Sequence, residues 1–148
     1  MQAHFGQYYG KHPYWTHPFD VAAFGQSFFG ADFDEDTTIV ALLHDVIEDT
    51  PHTRKSLADM GYSDTVLDAV ELVTKDENLT YFENIQRIVD SKNKIAMMVK
   101  FSDNYKNYKG DKSDWSESRR KKSQEKYLKS MKILANELNI TIPNDIGD

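Results

Sequence analysis

An all-α fold is predicted for this chain by three features. Apolar residues recur at three- and four-residue spacing almost throughout, no run alternates with period two for long enough to make a strand, and turn-type residues fall in short groups between the periodic stretches. His17 to Phe29 places Val21, Phe24 and Phe28 on one face, and Gly30-Ala31 breaks the pattern. Asp34 and Asp36 are cap candidates for a helix over 36–49, which stops before Pro51. Connections are expected at Pro51 to Thr53 and at Gly61, with Ser63 capping a helix that carries Val66, Val70 and Val73. Tyr81 to Val89 and Lys92 to about Tyr108 read as two further helices. After a connection at Lys109 to Asp114, Trp115 to Leu138 reads as a long, highly charged one. Phe28-Phe29 and Met97-Met98 belong to the core, and Arg119 to Lys122 to a solvated helix face.

At 148 residues with 39% hydrophobic content, a single globular domain over 1–148 with a real core is expected. No internal repeat, low-complexity block or Pro/Gly/Ser-rich linker divides it. The absence of cysteine excludes disulfides and Cys-ligated zinc and fits a reducing compartment. No apolar stretch approaches the ~20 residues of a membrane span, and residues 1–16 lack the apolar core of a signal peptide. A cytoplasmic protein is the expectation. The formal charge of −6 argues against bulk nucleic-acid binding, which depends on neutralising many phosphates with Lys and Arg.

The segment ALLHDVIEDTP at 41–51 concentrates four ionisable groups, His44, Asp45, Glu48 and Asp49, directly after an apolar run. On a helix Glu48 follows His44 by four and Asp45 by three, so the three lie on neighbouring strips. Carboxylates at a helix C-terminus sit against the negative end of the macrodipole, at a cost of ~0.3–1 kcal/mol each when exposed. A cation nearby reverses that sign. One reading is a solvated acidic helix end beside a half-buried histidine. Against it stands Val40-Ala41-Leu42-Leu43, since groups buried enough to follow that run do not stay charged without a partner, and no Lys or Arg follows until Arg54. A divalent metal would be such a partner. His17, in PYWTHPFDVA, and Asp103, in MMVKFSDNYKN, repeat the pattern of a ligand-type residue at the end of an apolar stretch. Two imidazoles and two carboxylates suit Mn²⁺, Fe²⁺ or Zn²⁺ better than Mg²⁺ or Ca²⁺, which prefer all-oxygen shells.

The segments AHFGQ, HPYWTHPFDVA, DTTIVALLHDVIEDTPHT, LVTK at 72–75 and VKFSDNYKN at 99–107 resemble the HD-domain metal-dependent phosphohydrolases, and among them the hydrolase domain of the Rel/SpoT-type alarmone enzymes. The resemblance covers residues 3 to about 108. It implies a helical bundle, four metal ligands at His17, His44, Asp45 and Asp103, usually for Mn²⁺, and an acidic pair, Glu48 and Asp49, that works on the attacking water. It also implies an asparagine, Asn107, that contacts the nucleotide. For the leaving phosphate or pyrophosphate, Lys11, Lys75 and Lys100 are the cations nearest the matching segments.

Two departures from the family pattern concern the base. The arginine that follows AHxGQ in the family and stacks on guanine is replaced by Tyr8-Tyr9, and the arginine common after the last ligand is Asn104. An aromatic ring stacks on any purine, so the resemblance carries over a purine site but not a preference for guanine. The expected activity is removal of the 3′-pyrophosphate from ppGpp to leave GDP, an alarmone hydrolysis of the stringent response, in a chain too short for a synthetase domain. The alternatives are an HD phosphohydrolase of another nucleotide (an adenine alarmone, a dNTP, an NADPH-like dinucleotide) and a protein that binds a nucleotide without hydrolysing it. The expected partner is a small nucleotide, with no membrane and no bulk nucleic acid.

Overall fold

Polar side chains at helix starts punctuate this chain. In a computed structural model that describes residues 8–9, 12–13, 16–44, 53–110 and 113–145, most helices open on a side chain accepting from the backbone N–H two or three positions inside. Helix α1 spans Thr16–Phe29 and passes into a 3-10 turn at Gly30–Asp32. Gly30 has φ +61°, a left-handed conformation that glycine adopts without a Cβ penalty. Asp34 caps α2, Glu35–Leu43, accepting from Thr37 N at 2.9 Å and from its hydroxyl at 2.8 Å. Of the two cap candidates in the sequence, Asp34 takes the role and Asp36 lies in the first turn. Helix α2 is described to Leu43 with His44 at its C-cap, and the rest of the expected 36–49 helix lies outside the described residues.

Thr53 and Ser56 form a reciprocal capping box for α3, Arg54–Asp59, a short helix that periodicity does not reveal because it carries one buried apolar residue, Leu57. Ser63 caps α4, Asp64–Val73, as its sequence predicts. Thr80 and Glu83 form a second capping box for α5, Tyr81–Asp90. Asn93 caps α6, Lys94–Lys109, so that helix starts later than Lys92, which sits at φ 59° in the preceding turn. Ser116 caps α7, Glu117–Leu138, which ends on a left-handed Asn139 with Ile140 N bonded back to Ala135 O.

The all-α expectation holds. A two-residue antiparallel pairing, Tyr8–Tyr9 with His12–Pro13, is added to it, too short for alternation to reveal.

Helix α6 is the centre of the arrangement, packing against α1, α2, α4, α5 and α7. Its sequence explains why: Ala96, Met97, Met98 and Val99 are buried in succession, followed by Phe101 to Asn104, so the helix is buried nearly all round rather than along one stripe. Val21 from α1, Val40 from α2, Val70 from α4, Ile85 and Ile88 from α5 and Met131 and Leu134 from α7 complete one shared core. Phe28 and Phe29 are half-buried against it and meet Phe101 with ring centroids 5.5 and 5.8 Å away. Arg119 to Lys122 are exposed, as the sequence predicts. No helix among the described residues is long and apolar enough to cross a membrane.

Candidate metal centre and adjoining cavity

His17 lies in the first turn of α1, His44 at the end of α2 and Asp103 in the middle of α6. All three are buried, with 6%, 4% and 7% of their surface exposed, although each is ionisable. They are there because the apolar residues around them, Val21, Val40 to Leu43, Met97 to Val99 and Phe101, pull their helices into one core. His17 Nε2 lies 2.8 Å from Asp103 Oδ1, and His44 Nε2 lies 3.3 Å from the same oxygen. The imidazole rings stand edge to face at 5.5 Å. One ligand atom from each residue falls within 4.8 Å of the other two.

The protonation of His44 follows from its other nitrogen. Nδ1 lies 2.6 Å from the Ala41 carbonyl, which only accepts, so Nδ1 carries the hydrogen. In the neutral ring Nε2 then presents a lone pair to the Asp103 carboxylate. Two lone pairs facing at 3.3 Å repel unless a cation lies between them or the ring takes up a second proton. A histidine whose far nitrogen is fixed by a carbonyl while the near one points at other lone-pair groups is oriented as metal-ligating histidines are. Two imidazole nitrogens and a carboxylate oxygen, all buried, therefore fit a divalent ion of the Mn²⁺, Fe²⁺ or Zn²⁺ kind.

Burial pushes the Asp103 carboxyl up. The Lys100 ammonium, 3.4 Å from Oδ2, and the two imidazoles outweigh that effect and hold it well below the usual carboxylate range. Asp103 is thus an anion poised for a cation.

Lys100 also faces a cavity of about 510 Å³ formed by the end of α4, the loop after it, and α5, α6 and α7. Lys75 and Lys126 line the same cavity, with Tyr81 and Thr80. Of the cations expected near the phosphate, Lys75 and Lys100 are brought to one place, whereas Lys11 lies outside the described residues. So do Asp45, Glu48 and Asp49. Tyr8 and Tyr9 lie in the short antiparallel pairing. Asn107 is buried on α6, one helical turn beyond Asp103.

Sequence reasoning missed Lys126 and Tyr81. The signal was present, since Arg119, Lys122, Lys126 and Lys129 recur at helical spacing along α7 and form one basic stripe. Also missed was the role of Asn104. It is fully buried, donates from Nδ2 to the Tyr81 hydroxyl at 2.8 Å and accepts from the Ser130 hydroxyl, which ties α5, α6 and α7 together beside Asp103.

Comparison with known proteins agrees with this geometry. Residues 3–135 match the family described as "HD domain". A guanosine-3′,5′-bis(diphosphate) 3′-pyrophosphohydrolase of Aquifex aeolicus is 30% identical over 145 residues, covering 92% of this chain and 20% of that protein. One of the same description from Haemophilus influenzae is 33% identical over 98 residues, covering 66% of this chain and 14% of that protein. The chain thus spans about a fifth or less of these relatives. A solved structure described as "A metazoan ortholog of SpoT hydrolyzes ppGpp and plays a role in starvation responses" superposes with a TM-score of 0.64 at 24% identity, over 87% of this chain and 79% of that one, and so shares its fold. With its helical bundle, its buried His17, His44 and Asp103 cluster and a family match running through both, this chain belongs to the HD-domain family.

Proposed function

We propose that this chain is a metal-dependent nucleotide phosphohydrolase, and that its substrate is ppGpp, cleaved to GDP and pyrophosphate. The single observation that carries the reading is the convergence of His17, His44 and Asp103 from three helices into one buried donor set. Asp45, adjacent to His44 in the sequence, supplies the fourth ligand, and Mn²⁺ is the ion that the family resemblance of these segments implies. Such an ion supplies Lewis acidity and makes water acidic enough to deprotonate near neutral pH. The chain's own groups do the rest. Glu48 and Asp49 orient the attacking water and take its proton. Lys100, held against Asp103, neutralises charge on the leaving pyrophosphate. Asn107 and the rings of Tyr8 and Tyr9 receive the nucleoside, with Lys11 near its phosphates.

The curated relatives named for guanosine-3′,5′-bis(diphosphate) support ppGpp over other nucleotides. The Tyr8-Tyr9 replacement supports a second reading, an HD phosphohydrolase of another purine nucleotide, because an aromatic face stacks on adenine as well as guanine. Incubating Mn²⁺-loaded protein with ppGpp, pppApp, nucleoside triphosphates, dNTPs and NADPH, and identifying products by chromatography, separates the two. Pyrophosphate released from ppGpp alone is the expected result. Turnover of another nucleotide in preference moves the assignment to the second reading, and binding without any product leaves a nucleotide-binding protein.

A further inference from the structure

The ring of Tyr81 carries two ammonium groups. Lys126 Nζ lies 4.7 Å from its centroid and Lys100 Nζ lies 5.5 Å from it, while Lys126 is also 4.8 Å from the ring of Tyr127. Lys75 completes the basic lining of the cavity, whose wall includes one carboxylate, Glu77, paired with Lys75 at 3.6 Å. Among the described residues, three lysines and one acid line this space, with Asp103 behind Lys100. Like charges converging in a half-buried site raise its energy, and aromatic faces offset only part of that. The strain shows at Lys126, where burial, then the nearness of Lys100 and Lys75, pushes the ammonium's pKa down.

Tyr81 is not free to turn. Its hydroxyl accepts from Asn104 Nδ2 at 2.8 Å, and Asn104 in turn accepts from the Ser130 hydroxyl, with both Asn104 and Ser130 fully buried. Asn104 is next in sequence to Asp103, so one turn of α6 sets both the metal-facing carboxylate and the ring beneath Lys126 and Lys100. Lys100 bridges the two places, with Asp103 Oδ2 3.4 Å from its Nζ and the cavity on its other side.

From this arrangement we infer that the cavity is a second anion subsite, which takes a phosphate group of the substrate other than the one presented to His17, His44 and Asp103. Lys126 is its charge partner, and Tyr81 is the positioning residue that aims Lys126 and Lys100 into it. The inference rests on the phosphohydrolase reading above and narrows it. The substrate carries phosphate at two separate positions, one to be cleaved and one to be held. At about 510 Å³ the cavity has room for a pyrophosphate-sized group.

The first test needs no turnover. Inorganic pyrophosphate is titrated calorimetrically into chelator-treated, metal-free protein, so that no ion bridges the anion to the His/Asp cluster. Lys126→Met should weaken binding about tenfold to a hundredfold, the loss expected for a charge-assisted contact. Lys126→Arg should keep most of it, and Lys122→Met, an exposed charge on the same helix, should leave it unchanged. Equal losses for Lys126→Met and Lys122→Met would reduce the effect to bulk charge and overturn the subsite, as would no loss in either. Lys126→Gln serves if the methionine variant does not melt as the wild type does.

The second test is kinetic. Lys126→Met should raise KM for ppGpp with little change in kcat, and leave the KM for guanosine 3′-diphosphate, which lacks the second phosphorylated position, unchanged. Tyr81→Phe keeps the ring and loses the Asn104 bond, and should show the same KM pattern more weakly. An equal rise in KM for both nucleotides would overturn the inference. The two claims fail separately. Absence of hydrolysis with every nucleotide sinks the activity while the pyrophosphate titration still judges the subsite, and normal hydrolysis with Lys126→Met indifferent in both tests sinks the subsite alone.

Discussion

His17 Nε2 and a carboxylate oxygen of Asp103, 86 positions apart in the chain, meet at 2.8 Å inside the bundle. His44 Nε2 approaches the same oxygen at 3.3 Å, so a single atom of Asp103 joins α1, α2 and α6. Three buried ionisable groups held this closely are stable together only when their charges and lone pairs are matched.

Removing one ligand should therefore abolish the site rather than weaken it, since an incomplete shell leaves an unbalanced buried charge. Mn²⁺ at about a hundredfold excess over its Kd should stabilise the wild-type protein by ~2.7 kcal/mol, visible as a rise in Tm. His44→Ala and Asp103→Ala should show neither that rise nor activity. Full metal occupancy in either variant by elemental analysis would take that residue off the ligand set.

Glu48 and Asp49 should behave differently from the ligands. Glu48→Gln and Asp49→Asn are expected to retain the Mn²⁺-dependent rise in Tm and to lose turnover by ~10²-fold or more, the usual contribution of a positioned acid or base. Wild-type rates in both variants would remove the pair from the mechanism.

Asn104 stands where the sequence family commonly has arginine, yet the position is fully buried and its amide is engaged at both ends, to Tyr81 and to Ser130. Asn104→Ala should cost ~1–3 kcal/mol in denaturant unfolding, from the buried Ser130 hydroxyl and the hydroxyl of half-buried Tyr81 left without their partner. Asn104→Arg should cost more, because it also buries a charge. An arginine variant as stable as the wild type would mean that this region repacks around the larger side chain.

A Cβ added at Gly25 in α1 would fall against the ring of Phe33, closer than real Cβ atoms approach. Phe33 is itself 4% exposed and stacked near Phe29, so the ring has little room to yield. Gly25→Ala should destabilise by ~1–3 kcal/mol. Phe33→Leu in the same chain should recover part of the loss, which a double-mutant cycle measures. Simple additivity of the two changes would show that the ring moves aside without cost.

Tyr127 gives an alkaline limit. Burial, then the charge of Asp103, pushes its phenol from the ordinary 10.0 up to about 12. Below pH 10 the folded and unfolded chains both hold the proton and the shift has no effect. Between about 10 and 12 the unfolded chain releases it first, binds fewer protons, and gains stability relative to the fold. Stability should fall by ~2 kcal/mol across that window. Tyr127→Phe should make this part of the profile shallower, with Tyr105, also pushed up to about 12 by burial and Asp145, keeping the remainder, and tyrosinate absorbance should show one phenol fewer titrating late. An unchanged slope in the variant would assign the alkaline loss to other groups.

Much of this protein is legible one residue at a time. The cap residues Asp34 and Ser63 act as read, because a side-chain oxygen two or three positions before a backbone N–H satisfies it through local geometry alone. The heptad-like spacing of Val21, Phe24 and Phe28 and of Val66, Val70 and Val73 decides which faces turn inward for the same local reason. The short α3 and the two-residue strand pairing escape such reading, since each has too few residues to show a period. The ligand types, His17, His44 and Asp103, are visible in the sequence as polar residues on apolar runs, and their likeness to a known motif names them. Their meeting within 4.8 Å is a tertiary event: it depends on α6 being buried nearly all round, so that α1 and α2 must dock on it at the level of Asp103. Lys126 and Tyr81 show the limit most clearly. On its own helix Lys126 is one cation in a basic stripe; only the docking of α7 beside α5 sets it over Tyr81 and opposite Lys75 and Lys100, because contacts between helices are chosen by the apolar faces beneath, Ile85, Ile88, Met131 and Leu134, and not by the charges they bring together.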